Sequence, residues 1–127
     1  MADDSGTLVS SGSSLNIPTG SGSERLCRAV IRGLNNGYQE ILSGTAGHIY
    51  TVISIIFCDL QGASGNIGIR VHDGGNNTYL LNNHVVGANE TFIWNDKFVL
   101  EEDDDLDVQN ACTNGYWYVS YIDQDWT

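Results

Sequence analysis

From Leu26 onward the apolar residues of this chain recur at every second position rather than every third or fourth, and that period constrains the fold more than any other feature. In "NIGIRVH", Ile67, Ile69 and Val71 fall on one side, with Asn66, Gly68, Arg70 and His72 on the other. In "TFIWNDKFVL", Phe92 shares a face with Trp94, and Phe98 with Leu100. In "DLDVQ", Leu106 and Val108 alternate with Asp105, Asp107 and Gln109. Successive side chains of a strand point to opposite faces, so each run describes a strand with one buried face. The clusters "GLNNG", "SGTAG", "QGASGN", "DGGNN" and "NACTNG" separate the runs, and their Gly and Asn residues suit tight turns. No segment has the length and period of a helix. About seven or eight short antiparallel strands at this spacing predict an all-β chain, a single β-sandwich of jelly-roll-like type. With 127 residues, 41% of them hydrophobic, the chain has enough material for one such core.

Two strands break the pattern. "HIYTVISIIFCD" places Ile49, Ile53, Ile55 and Phe57 on one face and Tyr50, Val52, Ile56 and Cys58 on the other, while "YWYVSYI" is aromatic on both. A strand apolar on both faces is covered on both. In a two-layer sandwich the second cover comes from a loop, from an N-terminal arm or from another subunit, and the expectation here is a subunit interface. The first 24 residues form a separate zone of Ser, Gly and Asp carrying four isolated apolar side chains, Leu8, Val9, Leu15 and Ile17. That composition does not bury a core alone. It predicts an extended arm over residues 1–24, preceding a sandwich domain over 25–127, with those four residues contacting a neighbour. Trp126, in the tail "DQDWT", is the other expected anchor into a partner, because Trp supplies a large apolar area at little entropic cost.

The net charge of −11, the pI near 4.2 and the five basic residues argue against a nucleic-acid partner, since phosphates would be repelled. The most apolar run, "IYTVISIIFC", is too short and too mixed to cross a bilayer, so no membrane partner is expected. The N-terminus lacks the basic and apolar regions of a secretory signal. Cys27, Cys58 and Cys112 are widely spaced with no C-x-x-C, which suggests reduced thiols in a cytosolic setting.

The stretch "VLEEDDDLDV" is the first candidate for chemistry, with six carboxylates at Glu101, Glu102, Asp103, Asp104, Asp105 and Asp107. Calcium sites use six to eight oxygens, often from alternate positions of a loop bent at Gly. No Gly follows here and Leu106 interrupts the series. The run reads as a solvated turn joining "KFVL" to "LDVQ". Asp103, Asp105 and Asp107 form a possible weak cation site, the last two being sent outward together. Catalytic carboxylate pairs need contrasting environments, which an exposed run does not provide. His48, His72 and His84 match no metal-ligand spacing and each sits beside a turn, an ordinary surface position. There is no G-x-S-x-G and no phosphate loop opening a helix. The expectation is a non-enzymatic protein with no cofactor and no metal. Trp94, Trp117 and Tyr121 read as core residues rather than a sugar-stacking platform.

The order of pieces over Tyr50 to Ile122 resembles a small β-sandwich module of virion proteins in tailed bacteriophages, especially marine and cyanobacterial ones. The matching pieces are "YTVISIIFCDLQGASGNIGIRVHDGG", "TYLLNNHVV", "ETFIWNDKFVLEEDDDLDV" and the closing "GYWYVSYI". The family's acidic turn is shorter and has Gly before Asp, where this chain has "EEDDD". The resemblance implies a virion structural part, located in the virion and assembled in the host cytoplasm. Capsid decoration or cement is the leading role, with a tail, neck or fibre-base component as the alternative. It implies the major capsid protein or other virion proteins as partners, self-association as a homotrimer, and no active site. A jelly-roll carbohydrate- or calcium-binding module is the alternative of another class.

Overall fold

The computed structural model of the chain describes residues 23–32, 37–60, 62–110 and 114–126. Over these residues the chain forms nine strands and no helix, and so no helix long and apolar enough to cross a membrane. They are β1 (Ser23–Arg32), β2 (Tyr38–Ser43), β3 (His48–Asp59), β4 (Gly65–Asp73) and β5 (Asn76–Val86), then β6 (Thr91–Trp94), β7 (Phe98–Leu100), β8 (Asp104–Asn110) and β9 (Gly115–Asp125).

Two antiparallel sheets result, one ordered β1-β9-β3-β6 with β7 also on β3, the other β2-β8-β4-β5. β6 pairs with β3 along Ile55–Cys58 and β7 along Tyr50–Val52, so the two behave as one strand broken at residues 95–97. Counted that way, eight strands lie in two four-stranded sheets, the jelly-roll arrangement the alternation predicts. The turn between β4 and β5 shows why "DGGNN" stands where it does. Gly74 and Gly75 have φ of 55° and 101°, a region costly for side chains with a Cβ.

The core lies between the sheets. Val52, Ile55 and Phe57 of β3 and Trp117 and Val119 of β9 meet Ile67 and Ile69 of β4 and Leu106 and Val108 of β8. Phe57 and Trp117 pack with ring centroids 4.9 Å apart. Burying each large apolar side chain contributes about 1.5–3 kcal/mol by removing its surface from water.

One expectation fails in β3. Strict alternation puts Ile53 with Ile55 and Phe57, and Tyr50 and Val52 with Ile56 and Cys58. Instead Tyr50, Val52, Ile55 and Phe57 are buried together. The pairing with β9 shifts register between Val52 and Ser54, and one extra residue inverts the parity of everything beyond it. β1 includes Ser23 and Glu24, grouped by composition with the arm, which pair with Asp125 and Gln124 of β9. Leu8, Val9, Leu15, Ile17 and Cys112 lie outside the described residues.

Candidate interaction surface

The two strands apolar on both faces, β3 and β9, are neighbours at the centre of the five-stranded sheet. Their outward side chains therefore fall side by side. Cross-strand register sets Leu26, Ile122, Thr51 and Val99 in one row across β1, β9, β3 and β7. The next row is polar, with Arg28, Ser120 and Ser54, and beyond it Val30, Tyr118, Ile56 and Ile93 line up across β1, β9, β3 and β6. Beyond them lies the row of Arg32, Tyr116, Cys58 and Thr91. Ile93 and Val99 are 54% and 52% exposed, too open for the sandwich to be covering them.

Charge on this face runs in one direction. At one end Glu24 lies beside Gln124, whose Nε2 donates to its Oε2 at 2.8 Å, and Glu101 is exposed just past β7. Arg28, midway along β1, and Arg32, at the other end, stand over the rings of Tyr118 and Tyr116, 5.6 and 5.9 Å from the centroids. Among the described residues neither arginine is in an ion pair, whereas Arg25 and Arg70 are.

The outer face of the other sheet carries the charged residues of β8 and β4, together with exposed Tyr79 and Val85 of β5. Asp105 and Asp107 point outward together, as the alternation predicts, but each has its own partner. Asp107, only 8% exposed, accepts from Arg70 Nε at 3.0 Å, and the Arg70 guanidinium lies 4.0 Å from the centroid of the Tyr38 ring. Asp105 Oδ1 accepts from Ser43 Oγ at 2.9 Å. Across the strand from Asp107, Glu40 has its carboxyl pushed up by partial burial and by Asp105 and Asp107. Asp103 is exposed in the turn, and Asp104 Oδ2 accepts from the Glu101 backbone N–H at 2.8 Å. The acidic stretch is thus a turn only as far as Asp103; beyond it the carboxylates belong to a strand. Among the described residues no set of three or more His, Cys, Asp and Glu is placed to hold a metal ion.

A third cluster ties the five-stranded sheet together at one end. Asp123 of β9 accepts from Arg25 of β1 at 2.9 Å and bonds His48 Nδ1 of β3 at 2.7 Å. His48 Nε2 is also 3.5 Å from Asp125. His48 is therefore not the ordinary surface histidine its position beside a turn suggests. Cys27 and Tyr121 lie next to this cluster. Burial pushes the Cys27 thiol up, with Asp123 adding to it, and burial followed by the Cys27 charge pushes the Tyr121 hydroxyl up. A buried thiol held protonated is a poor nucleophile, so this cluster is a clasp between strands. Its members are far apart in the chain, and only strand register brings them together.

The aromatic residues divide as expected. Trp117 and Tyr121 are buried, and half-buried Trp94 donates from Nε1 to the Asp96 carbonyl at 2.9 Å. Of the two histidines outside the clasp, His72 bonds Asn77 at 2.8 Å and the His84 ring packs at a tilt against Phe92, centroids 4.8 Å apart. Trp126 is 63% exposed, and its backbone N–H donates to the Gly47 carbonyl at 2.8 Å.

No family model and no curated protein matches the sequence. Among solved structures, the fold is similar to that of a protein of Bacillus endospore appendages, described as a novel family of disulfide-linked pili. The two are 14% identical over 84% of this chain and 90% of that one, with a TM-score of 0.53. Murine APRIL is more distant, at 11% identity over 73% of this chain and 98% of that one, with a TM-score of 0.40. The first likeness is one of fold alone.

Proposed function

We propose that this protein is a non-enzymatic structural subunit of a tailed-bacteriophage virion, most specifically a capsid decoration or cement protein. The observation that carries the reading is the apolar outer face of the five-stranded sheet. With strands about 4.8 Å apart and residues about 3.3 Å apart, four strand positions by ten residues span about 600 Å². Within that footprint two apolar rows lie on either side of the row of Arg28, Ser120 and Ser54, and an apolar face of this kind on a chain otherwise acidic suits a place where another protein docks. The resemblance of residues Tyr50 to Ile122 to phage virion modules supplies the setting. The Bacillus appendage protein of similar fold forms pili, another structural use of a sandwich.

A decoration protein acts by mass action. It binds the assembled shell and not its separated parts, so each bound copy shifts the equilibrium toward the intact shell. A high negative charge suits this role, keeping many copies soluble until they dock.

Quantitative mass spectrometry of purified particles tests the proposal. A copy number comparable to that of the major capsid protein is the expected result. A copy number typical of a single tail or neck ring would move the protein to that part of the virion. Its absence from particles would overturn the virion reading and bring forward a carbohydrate- or calcium-binding module.

A further inference from the structure

We infer that the outer face of the five-stranded sheet is covered by the same face of a second copy, the two related by a two-fold axis that reverses strand direction. The inference rests on reading this face as a docking surface, and it names the occupant.

The charge gradient along the face is the first argument. Glu24 and Arg32 lie at opposite ends of the outward side of β1. An axis lying between the sheets and perpendicular to the strands sets β1 against β1 head to tail. Glu24 of each copy then meets Arg32 of the other. Between the acidic and basic ends, two apolar rows flank the polar row of Arg28, Ser120 and Ser54, so that operation sets the row of Leu26 against the row of Val30, the self-complementarity an isologous interface requires.

Net charge gives the second argument. Two chains of −11 repel, so they associate most readily through the surface where cations stand that are in no ion pair among the described residues. Arg25 and Arg70 are engaged with Asp123 and Asp107, leaving Arg28 and Arg32 on this face. Arg28, midway along β1, approaches its own copy, but at the rim of the interface, where water screens the pair.

Area is the third. About 600 Å² per copy makes about 1,200 Å² in total, at the threshold of specific, stable interfaces. A single self-complementary face is used up by one two-fold contact, so this face favours a dimer over the trimer implied by the phage resemblance.

The test is sedimentation equilibrium of the full chain over a concentration series, with circular dichroism as a check on folding. The expected mass is twice 13.8 kDa. Ile93→Asp and Val99→Asp alter exposed side chains on β6 and β7, the edge of the face opposite β1, and each should weaken association about tenfold by placing a charge against the apolar row of the other copy. Glu24→Arg alone and Arg32→Glu alone should each weaken it about tenfold, because the two-fold repeats every change. The double variant should restore it.

A monomer at all concentrations, a trimer, or a dimer indifferent to Ile93→Asp and Val99→Asp would overturn the inference. Failure of the double variant to recover would overturn the reversed-strand geometry. Virion attachment is scored separately. A monomer that still joins particles removes the dimer and keeps the decoration role, whereas a dimer absent from particles does the reverse.

Discussion

Asp123→Ala tests the clasp that joins β1, β9 and β3. Asp123 is 7% exposed, and its carboxylate makes two charge-assisted hydrogen bonds, accepting from Arg25 at 2.9 Å and from His48 Nδ1–H at 2.7 Å. A net hydrogen bond to a charged group is worth about 1.5–3 kcal/mol, and stranding its partner in the interior adds to the loss. Two features reduce the effect. The Arg25 and His48 side chains are 25% and 15% exposed, so water reaches both, and His48 retains Asp125 at 3.5 Å. The expected loss is therefore about 3 kcal/mol in all. Unfolding entropy of about 2.1 cal/mol/K per residue gives about 270 cal/mol/K for this chain, and hence a fall in Tm of about 11 °C. Thermal and urea unfolding followed by circular dichroism measure it, and a cycle with His48→Ala isolates the pairwise part. A Tm shift below about 3 °C, or additive single variants, would show that the cluster holds nothing together.

Three further predictions concern other regions. Gly44→Ala should cost about 1–3 kcal/mol, because the added Cβ would stand 2.7 Å from the Glu102 carbonyl oxygen and force the acidic turn outward; urea midpoints give the value, and an unchanged midpoint would show that the turn yields freely. Stability should fall above about pH 9, since Cys27 and Tyr121 are pushed up from ordinary values of 9.0 and 10.0 and the unfolded chain loses these protons first. Their contribution is complete below those values and declines as pH rises through them, so Tyr121→Phe should flatten the decline above pH 10 in a series of urea titrations. A slope unchanged in that variant would assign the decline to other groups. Glu40→Gln should raise Tm at neutral pH by removing a carboxylate crowded by Asp105 and Asp107, and the gain should vanish in acid, where Glu40 is protonated in both states. A gain that persisted at low pH would exclude the charge explanation.

Much of the architecture was legible because strand patterning is local. The alternation of Ile67, Ile69, Leu106 and Val108 with polar neighbours determined that these four residues face a core, and the Gly and Asn clusters marked where strands end. The double apolarity of "HIYTVISIIFCD" and "YWYVSYI" determined that two strands need a second cover. Tertiary structure decided which strands adjoin. Because β3 and β9 are neighbours, their outward residues merge into one face, and the composition of either strand alone does not say so. It also decided the parity of β3, since a bulge adds one residue without any mark in the side-chain pattern and exchanges the faces beyond Val52. Only the register of β1, β9 and β3 brings Arg25, Asp123 and His48 within hydrogen-bonding distance, although they are far apart along the chain. Alternation is a property of neighbouring residues and can be read from order alone; register is a pairing between distant segments, settled when the whole core is packed.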